Sequence, residues 1–265
     1  MVKIHHASFQ GKRPTNEDEH LIYQNLESFN NNHNSVDIIG VFDGHGGPLV
    51  SKYAKDTLPK FFIKKNPKLF FDSQYTAKYI NKVFKNFNSI LEKDHPRAAS
   101  YSGSTCCMGI ITKDNKGKIL WIINAGDSRA VLANKSGIAI PLSKDHTPNT
   151  PEERARIEAI EGGKEKIYHD GGVWRVVDLS LSRALGDLEA NPYVTPMPQV
   201  YRYRLHPDDK HIIIGCDGVW DVLSNQDAVD ILKTAPRRSN LAKLIAEEAL
   251  KRGTSDNVTV VVYEI

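Results

Sequence analysis

Three aspartates each stand where an apolar run stops. Asp43 closes Val36-Asp37-Ile38-Ile39-Gly40-Val41-Phe42 and leads into Gly44-His45-Gly46-Gly47. Asp217 closes His211-Ile212-Ile213-Ile214-Gly215-Cys216 and leads into Gly218, while Asp256 directly precedes Asn257 and the last apolar run. A carboxylate at the end of a buried strand is costly to desolvate unless something pairs with it. Its recurrence in three places implies strand ends that converge on a shared counter-charge. No basic cluster is placed to supply one, and a divalent cation is the alternative. Hard oxygen ligands without Cys or paired His favour Mg²⁺ or Mn²⁺ over Zn²⁺. Glycine after Asp43 and Asp217 lets the backbone approach closely, and Gly44 could offer a carbonyl ligand. More acids cluster nearby in sequence: Glu17-Asp18, Asp221 four residues after Asp217, and Asp145 beside His146. A single Asp-Gly reads as an ordinary turn; the bland reading of the whole set is a structural cation site without chemistry.

Two such ions close together would bridge a water, lower its pKa and aim it at a phosphorus or carbonyl centre. Hydrolysis of a phosphate ester then needs charge on the non-bridging oxygens and a proton for the leaving oxygen. Arg13, just before Glu17-Asp18, could fork onto a phosphate. His45 sits two residues after Asp43 and, of the ten histidines, alone lies in an Asp-Gly-His-Gly-Gly run. A histidine titrates near neutrality, as a general acid should. The plain alternatives are a surface arginine and a loop histidine.

The elements that must position these residues are legible as patterns. Runs rich in Val and Ile predict strands over 3–9, 20–24, 36–42, 105–112, 118–124, 129–133, 200–205, 211–216 and 257–263. Turn clusters such as Lys113-Asp114-Asn115-Lys116-Gly117 and Asn134-Lys135-Ser136-Gly137 predict antiparallel hairpins. Apolar spacing predicts a helix over 47–63, with Val50, Tyr53, Ala54, Leu58 and Phe61 on one face. Another spans 74–91, with Ile80, Phe84, Phe87 and Leu91 three and four apart. Thr150-Pro151-Glu152-Glu153 reads as a capping box opening a helix that ends at Gly162-Gly163. Helices over 225–233, capped by Ser224, and 239–252, closed by Gly253, complete the set. Helix pairs separated by runs of strands predict an α+β fold: two antiparallel sheets face to face with helices outside. The asparagine-rich stretch 30–34 reads as a hairpin loop, so residues 1–265 read as one domain.

Composition narrows the class further. The chain has 265 residues, 40% hydrophobic and 25% charged, which is the globular average. No apolar run approaches the ~18 residues of a membrane span. Its net charge of +3, from 35 basic and 32 acidic side chains, is too mild to imply nucleic acid. The short basic pairs Lys64-Lys65 and Arg237-Arg238 read as solvated surface. Cys106, Cys107 and Cys216 lie inside apolar runs and cannot all pair, as expected of reduced thiols in the cytoplasm. The N-terminus lacks a signal-peptide stretch and Val2 excludes myristoylation, so the expected location is the cytoplasm, or the nucleus. A monomer is the default.

Taken together, Gly11-Lys12-Arg13 with Asn16-Glu17-Asp18, Val41-Phe42-Asp43-Gly44-His45-Gly46-Gly47, Ser102-Gly103-Ser104-Thr105, Ala125-Gly126-Asp127-Ser128-Arg129-Ala130, Leu142-Ser143-Lys144-Asp145-His146, Ser182-Arg183-Ala184-Leu185-Gly186-Asp187, Cys216-Asp217-Gly218-Val219-Trp220-Asp221 and Ser255-Asp256-Asn257-Val258-Thr259 resemble the metal-dependent protein phosphatase 2C family. These eight segments stand in the family's order and span essentially the whole chain. The resemblance implies a central sandwich of two antiparallel sheets flanked by helix pairs, with a binuclear Mn²⁺/Mg²⁺ site at one end. It implies metal-dependent hydrolysis of phosphoserine and phosphothreonine in proteins by a water bridging two ions. In the family pattern Asp43, Asp217 and Asp256 occupy carboxylate-ligand positions and Gly44 a carbonyl-ligand position. Glu17 and Asp18 occupy positions that act near the metals, often through water. Arg13 matches the phosphate-binding arginine and His45 the histidine that protonates the leaving oxygen. Asp145 and Asp221, with Asp217 shared, match a third, weaker metal site seen in some members. Asn257 and Thr105 match positions that hold the acidic ligands, and Asp127 reads as a turn stabiliser ahead of a ligand. The implied partners are phosphorylated proteins, with no nucleic acid and no membrane.

The chain departs from the family pattern at Arg175-Val176-Val177-Asp178-Leu179-Ser180-Leu181-Ser182-Arg183, which is one residue shorter and lacks a glycine. That borders residues 163–198, the family's flap beside the active site. With no long extension at either end, the sequence resembles a bare catalytic domain. The readings that compete with hydrolysis are three. A haloacid-dehalogenase-like phosphotransferase fails because its nucleophile would fall on Gly215. A metal-dependent nuclease is disfavoured by the mild charge. A catalytically weak pseudophosphatase acting as a binding module would be expected to have lost ligand acids or Arg13, all of which are present.

Overall fold

Strand alternation in this sequence creates two apolar faces per sheet, and both are covered. The computed structural model describes residues 2–26, 36–63, 67–70, 72–114 and 116–265. One five-stranded antiparallel sheet runs in the order β1 (Ile4–Phe9), β15 (Val258–Glu264), β14 (Asp209–Gly215), β8 (Arg129–Asn134) and β9 (Ala139–Pro141). The other runs β13 (Gln199–Arg204), β7 (Gly117–Ala125), β6 (Cys106–Asp114), β3 (Val36–Phe42) and β2 (Glu19–Leu26). Every residue of β3 is buried. Ile39 and Val41 face the core shared with the first sheet, whereas Ile38 and Phe42 face the helices. Tyr263 Oη donates to Asp37 Oδ2 at 2.8 Å, a buried bond between the two sheets.

The outer layers are helical. Against the second sheet pack α1 (Leu49–Thr57), α2 (Lys60–Ile63), α3 (Ser73–Asp94) and α4 (Pro96–Tyr101), through a core that includes Val50, Phe84, Phe87 and Trp121. Against the first pack α6 (Asp217–Trp220), α7 (Asn225–Thr234) and α8 (Leu241–Lys251). Two smaller units sit at one end. They are a three-stranded sheet of β4 (Gly44–His45), β5 (Gly103–Ser104) and β12 (Leu185–Gly186), and a hairpin of β10 (Ile167–Asp170) and β11 (Val173–Val176). Near that hairpin lies α5 (Pro151–Glu158) with its own apolar cluster around Ile157 and Val176.

The α+β sandwich expected from the sequence is the fold observed, with corrections of detail. The helix expected over 47–63 is broken: α1 ends at Thr57 and α2 starts at Lys60. Pro59 lacks an N–H and its ring clashes with the preceding turn. The capping box at Thr150 does not form. Thr150 Oγ1 donates to Thr147 O at 2.7 Å, and Glu153 is turned to tertiary partners described below. That helix stops at Glu158, short of Gly162-Gly163. A capping box does form at α7, where the Ser224 hydroxyl accepts from Asp227 N and Asp227 accepts from Ser224 N. The short elements β4, β5, β9, β10, β11, β12, α4 and α6 carry too few residues for periodicity to reveal them. The expected loop at 30–34 and the pair Lys64-Lys65 lie outside the described residues. Cys106, Cys107 and Cys216 are buried and unpaired. No helix among the described residues is long and apolar enough to cross a membrane.

Candidate active site

The ends of β3, β14 and β15 meet at one edge of the sandwich, and their aspartates line one cavity. It has a volume of about 550 Å³ and is lined by Asp43, Asp127, Asp217, Asp256, Glu17 and Arg13 among others. Asp43 is fixed by backbone bonds on both sides. Its N–H donates to Thr105 Oγ1 at 3.0 Å, and Thr105 N–H donates to its carbonyl at 2.8 Å. The Thr105 hydroxyl is braced in turn by Ser128 at 2.7 Å. Gly44 has no room for a side chain: a Cβ there would stand 2.5 Å from Glu17 O and 2.8 Å from Ser51 Oγ. Asn257 pins the loop that carries Arg13 and Glu17. Its Nδ2 donates to Gln10 O at 2.7 Å and Thr15 O at 2.9 Å, and its Oδ1 accepts from Glu17 N at 2.9 Å. The carboxylate of Glu17 accepts from Gly47 N at 3.0 Å.

These acids repel one another in a poorly solvated place. Burial pushes the Asp217 carboxyl up to about 7, with Asp256 and Asp221 adding repulsion. Asp18 is pushed up to about 6, chiefly by burial. Burial and then Asp217 raise both Asp43 and Asp127 well above the carboxylate range. Both carboxylate oxygens of Asp18 are buried and neither accepts a well-aligned hydrogen bond among the described residues; the Thr259 hydroxyl and the Cys216 thiol stand near enough to offset only part of the cost of burial. Carboxylate oxygens of Asp18 and Asp43 lie within 4.8 Å of each other and of Cys216 Sγ. An orphaned buried carboxylate amid raised neighbours is the charge pattern a divalent cation satisfies, and the donors are hard oxygens suited to Mg²⁺ or Mn²⁺.

Two arginines are paired with acids of this group. Arg13 Nη2 bonds Asp256 Oδ2 at 2.5 Å while over half of its side chain stays exposed. Arg129 grips Asp145 through both oxygens, at 2.9 and 2.5 Å. Asp145 and Asp221 are not among the residues lining the cavity. Of the third acidic group expected from the sequence, Asp145 is paired with Arg129, whereas burial and then Asp256 raise the Asp221 carboxyl.

His45 has a partner that sequence reasoning missed. Its Nε2 lies 2.7 Å from Asp187 Oδ2, and the Asp187 side chain is nearly buried. The three-stranded unit builds this pair: Gly44 and His45 pair with Ser104 and Gly103, which pair with Leu185 and Gly186. Gly103 makes the approach possible, since a Cβ there would lie 2.0 Å from Asp187 Oδ2 and 2.6 Å from His45 Nε2. Asp127, expected to stabilise its turn ahead of any ligand role, is among the residues lining the cavity. The Gly-Asp-Ser-Arg turn holding it gave no sign of which way the carboxylate points.

The flap forms the opposite wall. Arg175, Asp178, Leu179, Ser180 and Leu181 line the cavity from that side. Where the sequence lacks the family's glycine, Val177 and Asp178 adopt φ of 48° and 71°, a left-handed bend that β-branched residues rarely take. Arg175 Nη1 donates to Asp178 O at 2.8 Å, and the Tyr168 hydroxyl bonds the Asp178 carboxylate. The base of the flap is anchored by Glu153, which accepts from Arg183 at 2.5 Å, Arg156 at 2.9 Å and the Ser182 hydroxyl at 2.8 Å.

The protein phosphatase 2C family model matches residues 2–258. The chain belongs to the protein phosphatase 2C family. Membership places it among serine/threonine protein phosphatases, a metal-dependent family. Two relatives from Oryza sativa subsp. japonica are similar along nearly all of it. "Probable protein phosphatase 2C member 13, mitochondrial" is 33% identical over 99% of this chain and 68% of its own length. "Probable protein phosphatase 2C 55" is 37% identical over 98% of this chain and 65% of its own length. The chain thus spans about two thirds of these curated relatives. Among solved structures, a Caenorhabditis elegans sex determining protein superposes with a TM-score of 0.85 at 24% identity, over 99% of this chain and 64% of that one. Serine-threonine phosphatase 2C from Toxoplasma gondii superposes with a TM-score of 0.80 at 22% identity, over 99% and 94% respectively. Both share the protein phosphatase 2C fold.

Proposed function

We propose that residues 1–265 form one catalytic domain that hydrolyses phosphoserine and phosphothreonine in proteins, with Mn²⁺ or Mg²⁺ held at the acidic cavity. The observation that carries this is the meeting of Asp43, Asp217 and Asp256 with the orphaned Asp18 beside an exposed arginine and a paired histidine. Asp43, Asp217 and Asp256 would hold two ions with the Gly44 carbonyl, and Glu17 and Asp18 would orient bound water around them. When bound, the ions supply Lewis-acid polarisation of the phosphoryl group and activation of the attacking water. Arg13 turns its guanidinium from Asp256 to the phosphate oxygens, a bidentate match that fixes the phosphorus for in-line attack. His45, with Nε2 engaged by Asp187, presents Nδ1 to the departing seryl or threonyl oxygen and delivers its proton there. A third ion at Asp145 and Asp221 would have to displace Arg129 from Asp145.

Unpaired buried thiols support a reducing compartment such as the cytoplasm or nucleus, and a monomer remains the working state. Retention of Arg13, His45 and the ligand acids argues against a binding module without turnover. Replacing Asp43 or Asp217 with Asn tests the assignment. Each variant is expected to lose at least about a hundredfold in phosphate release from a phosphothreonine peptide while keeping its circular dichroism spectrum. Wild-type rates in either variant would overturn the ligand set.

A further inference from the structure

A second depression opens beside the acidic cavity. It has a volume of about 620 Å³ and is walled by the first turn of α1 and by α4: Leu49, Pro96, Ala98 and Tyr101, with His95 and Arg97 at its edge. Gly46 and Tyr101 line both depressions, so the groove continues the active site and is not a separate hole. Its floor is firm. The Ser102 hydroxyl donates to Gly46 O at 2.6 Å, and Ala99 is buried in the core beneath. Its apolar walls are unusually bare, with Leu49 39% and Tyr101 70% exposed. No acidic side chain is among the lining residues. Arg97 is exposed and makes no ion pair among the described residues. None of these groups has a part in the chemistry proposed above.

We propose that this groove binds the segment of a phosphoprotein substrate flanking the phosphorylated residue, and that it selects an apolar side chain accompanied by an acidic one. The inference rests on the phosphatase reading. A substrate chain whose phosphate is held by Arg13 must leave the cavity over one of its rims, and the rim formed by Gly46 and Tyr101 leads directly into the groove. An extended chain advances about 3.3 Å per residue and shows alternate side chains to the same face. An apolar side chain about two to four residues from the phosphoresidue therefore drops between Leu49, Pro96 and Tyr101. Arg97, the one arginine or lysine among the described residues lining the groove, sets the sign of the accompanying charge.

The test uses phosphothreonine peptides on an alanine background, with Leu, Glu or Lys placed in turn at each flanking position, and p-nitrophenyl phosphate as a substrate that cannot reach the groove. For the wild type, Leu with Glu on one side of the phosphothreonine is expected to raise kcat/KM about tenfold over the alanine peptide. Leu49→Asp should abolish the gain from Leu. Arg97→Glu should abolish the gain from Glu and transfer it to Lys, a reversal that damage to the fold could not produce. Both variants should hydrolyse p-nitrophenyl phosphate at the wild-type rate. Equal kcat/KM for all peptides, or an unchanged Glu preference in Arg97→Glu, would overturn the groove assignment. Failure of the wild type to hydrolyse p-nitrophenyl phosphate with Mn²⁺ would instead overturn the phosphatase reading on which it rests.

Discussion

Stripping divalent cations from this protein at neutral pH should cost stability in a way that depends on pH, and the acidic cavity gives the size of the effect. Asp217 stands at about 7 in the folded chain against an ordinary 3.8, and Asp18 at about 6. A carboxyl raised on folding makes the folded chain hold more protons than the unfolded one across the interval between the two values. The stability it contributes is complete below about pH 4 and is lost as pH climbs through about 7. At 1.36 kcal/mol per pH unit, Asp217 alone accounts for about 3 kcal/mol between about pH 5 and pH 7.5. The carboxylates relieve each other when one is protonated, so the single-site figure sets the scale and the shifts are not summed. Two buried histidines act in the opposite direction, since His146 and His211 are pushed down to about 4, chiefly by burial. They contribute equally to loaded and stripped protein, so the difference between those two forms isolates the cavity. At about 2–4 °C per kcal/mol for a chain of this size, the gain in Tm from saturating Mn²⁺ should be about 6–12 °C larger at about pH 7.5 than at about pH 5. Scanning calorimetry with chelator or with Mn²⁺ reads this directly. In the chelated state near neutrality, Asp217→Asn should melt above the wild type, because it removes one of the repelling charges. A Mn²⁺ gain independent of pH, or a chelated Asp217→Asn that melts below the wild type, would refute the picture of an acidic cluster held together by cations.

Further outcomes follow from the pairs around the cavity. His45→Ala should slow alkyl phosphate esters about a hundredfold or more and aryl esters far less, because a phenolate leaves without a proton; equal losses would remove His45 as the acid. Asp187→Asn should reproduce that leaving-group dependence in weaker form and shift the pH profile of kcat for alkyl esters, whereas a purely structural role would lower both substrate classes alike. Glu153 is pulled down to about 2 by Arg183 and Arg156 against the upward push of burial, so its contribution is present above about pH 4.5 and lost as pH falls through about 2. Glu153→Ala leaves two arginines facing each other and should cost about 3–5 kcal/mol in denaturant unfolding, and a loss under about 1 kcal/mol would show that the flap anchor carries little.

Much of the site was readable in the chain because its ligands sit at strand ends. An aspartate after Val36–Phe42 or after Gly215 interrupts an apolar pattern, and such interruptions survive in one dimension. His45 stood out for the same reason, embedded in glycines beside Asp43. Its partner did not, because the bond to Asp187 is made by a two-residue strand and a glycine more than fifty residues away in sequence. Asp127 was read as a turn residue because a Gly-Asp-Ser-Arg turn has the same sequence whichever way its carboxylate points. Thr150 and Glu153 show how a local pattern fails: the spacing is that of a capping box, but two arginines and a serine compete for Glu153 and win. The flap departure was visible as a missing glycine, yet only the backbone shows that Val177 and Asp178 take the left-handed bend in its place.

The most direct measurement is phosphate release from a phosphothreonine peptide by the purified chain with Mn²⁺, with Mg²⁺ and with excess chelator. Release is expected with metal, abolished by chelator and restored when Mn²⁺ is returned. Release that persists in chelator, or none from folded protein under either metal, would contradict that expectation.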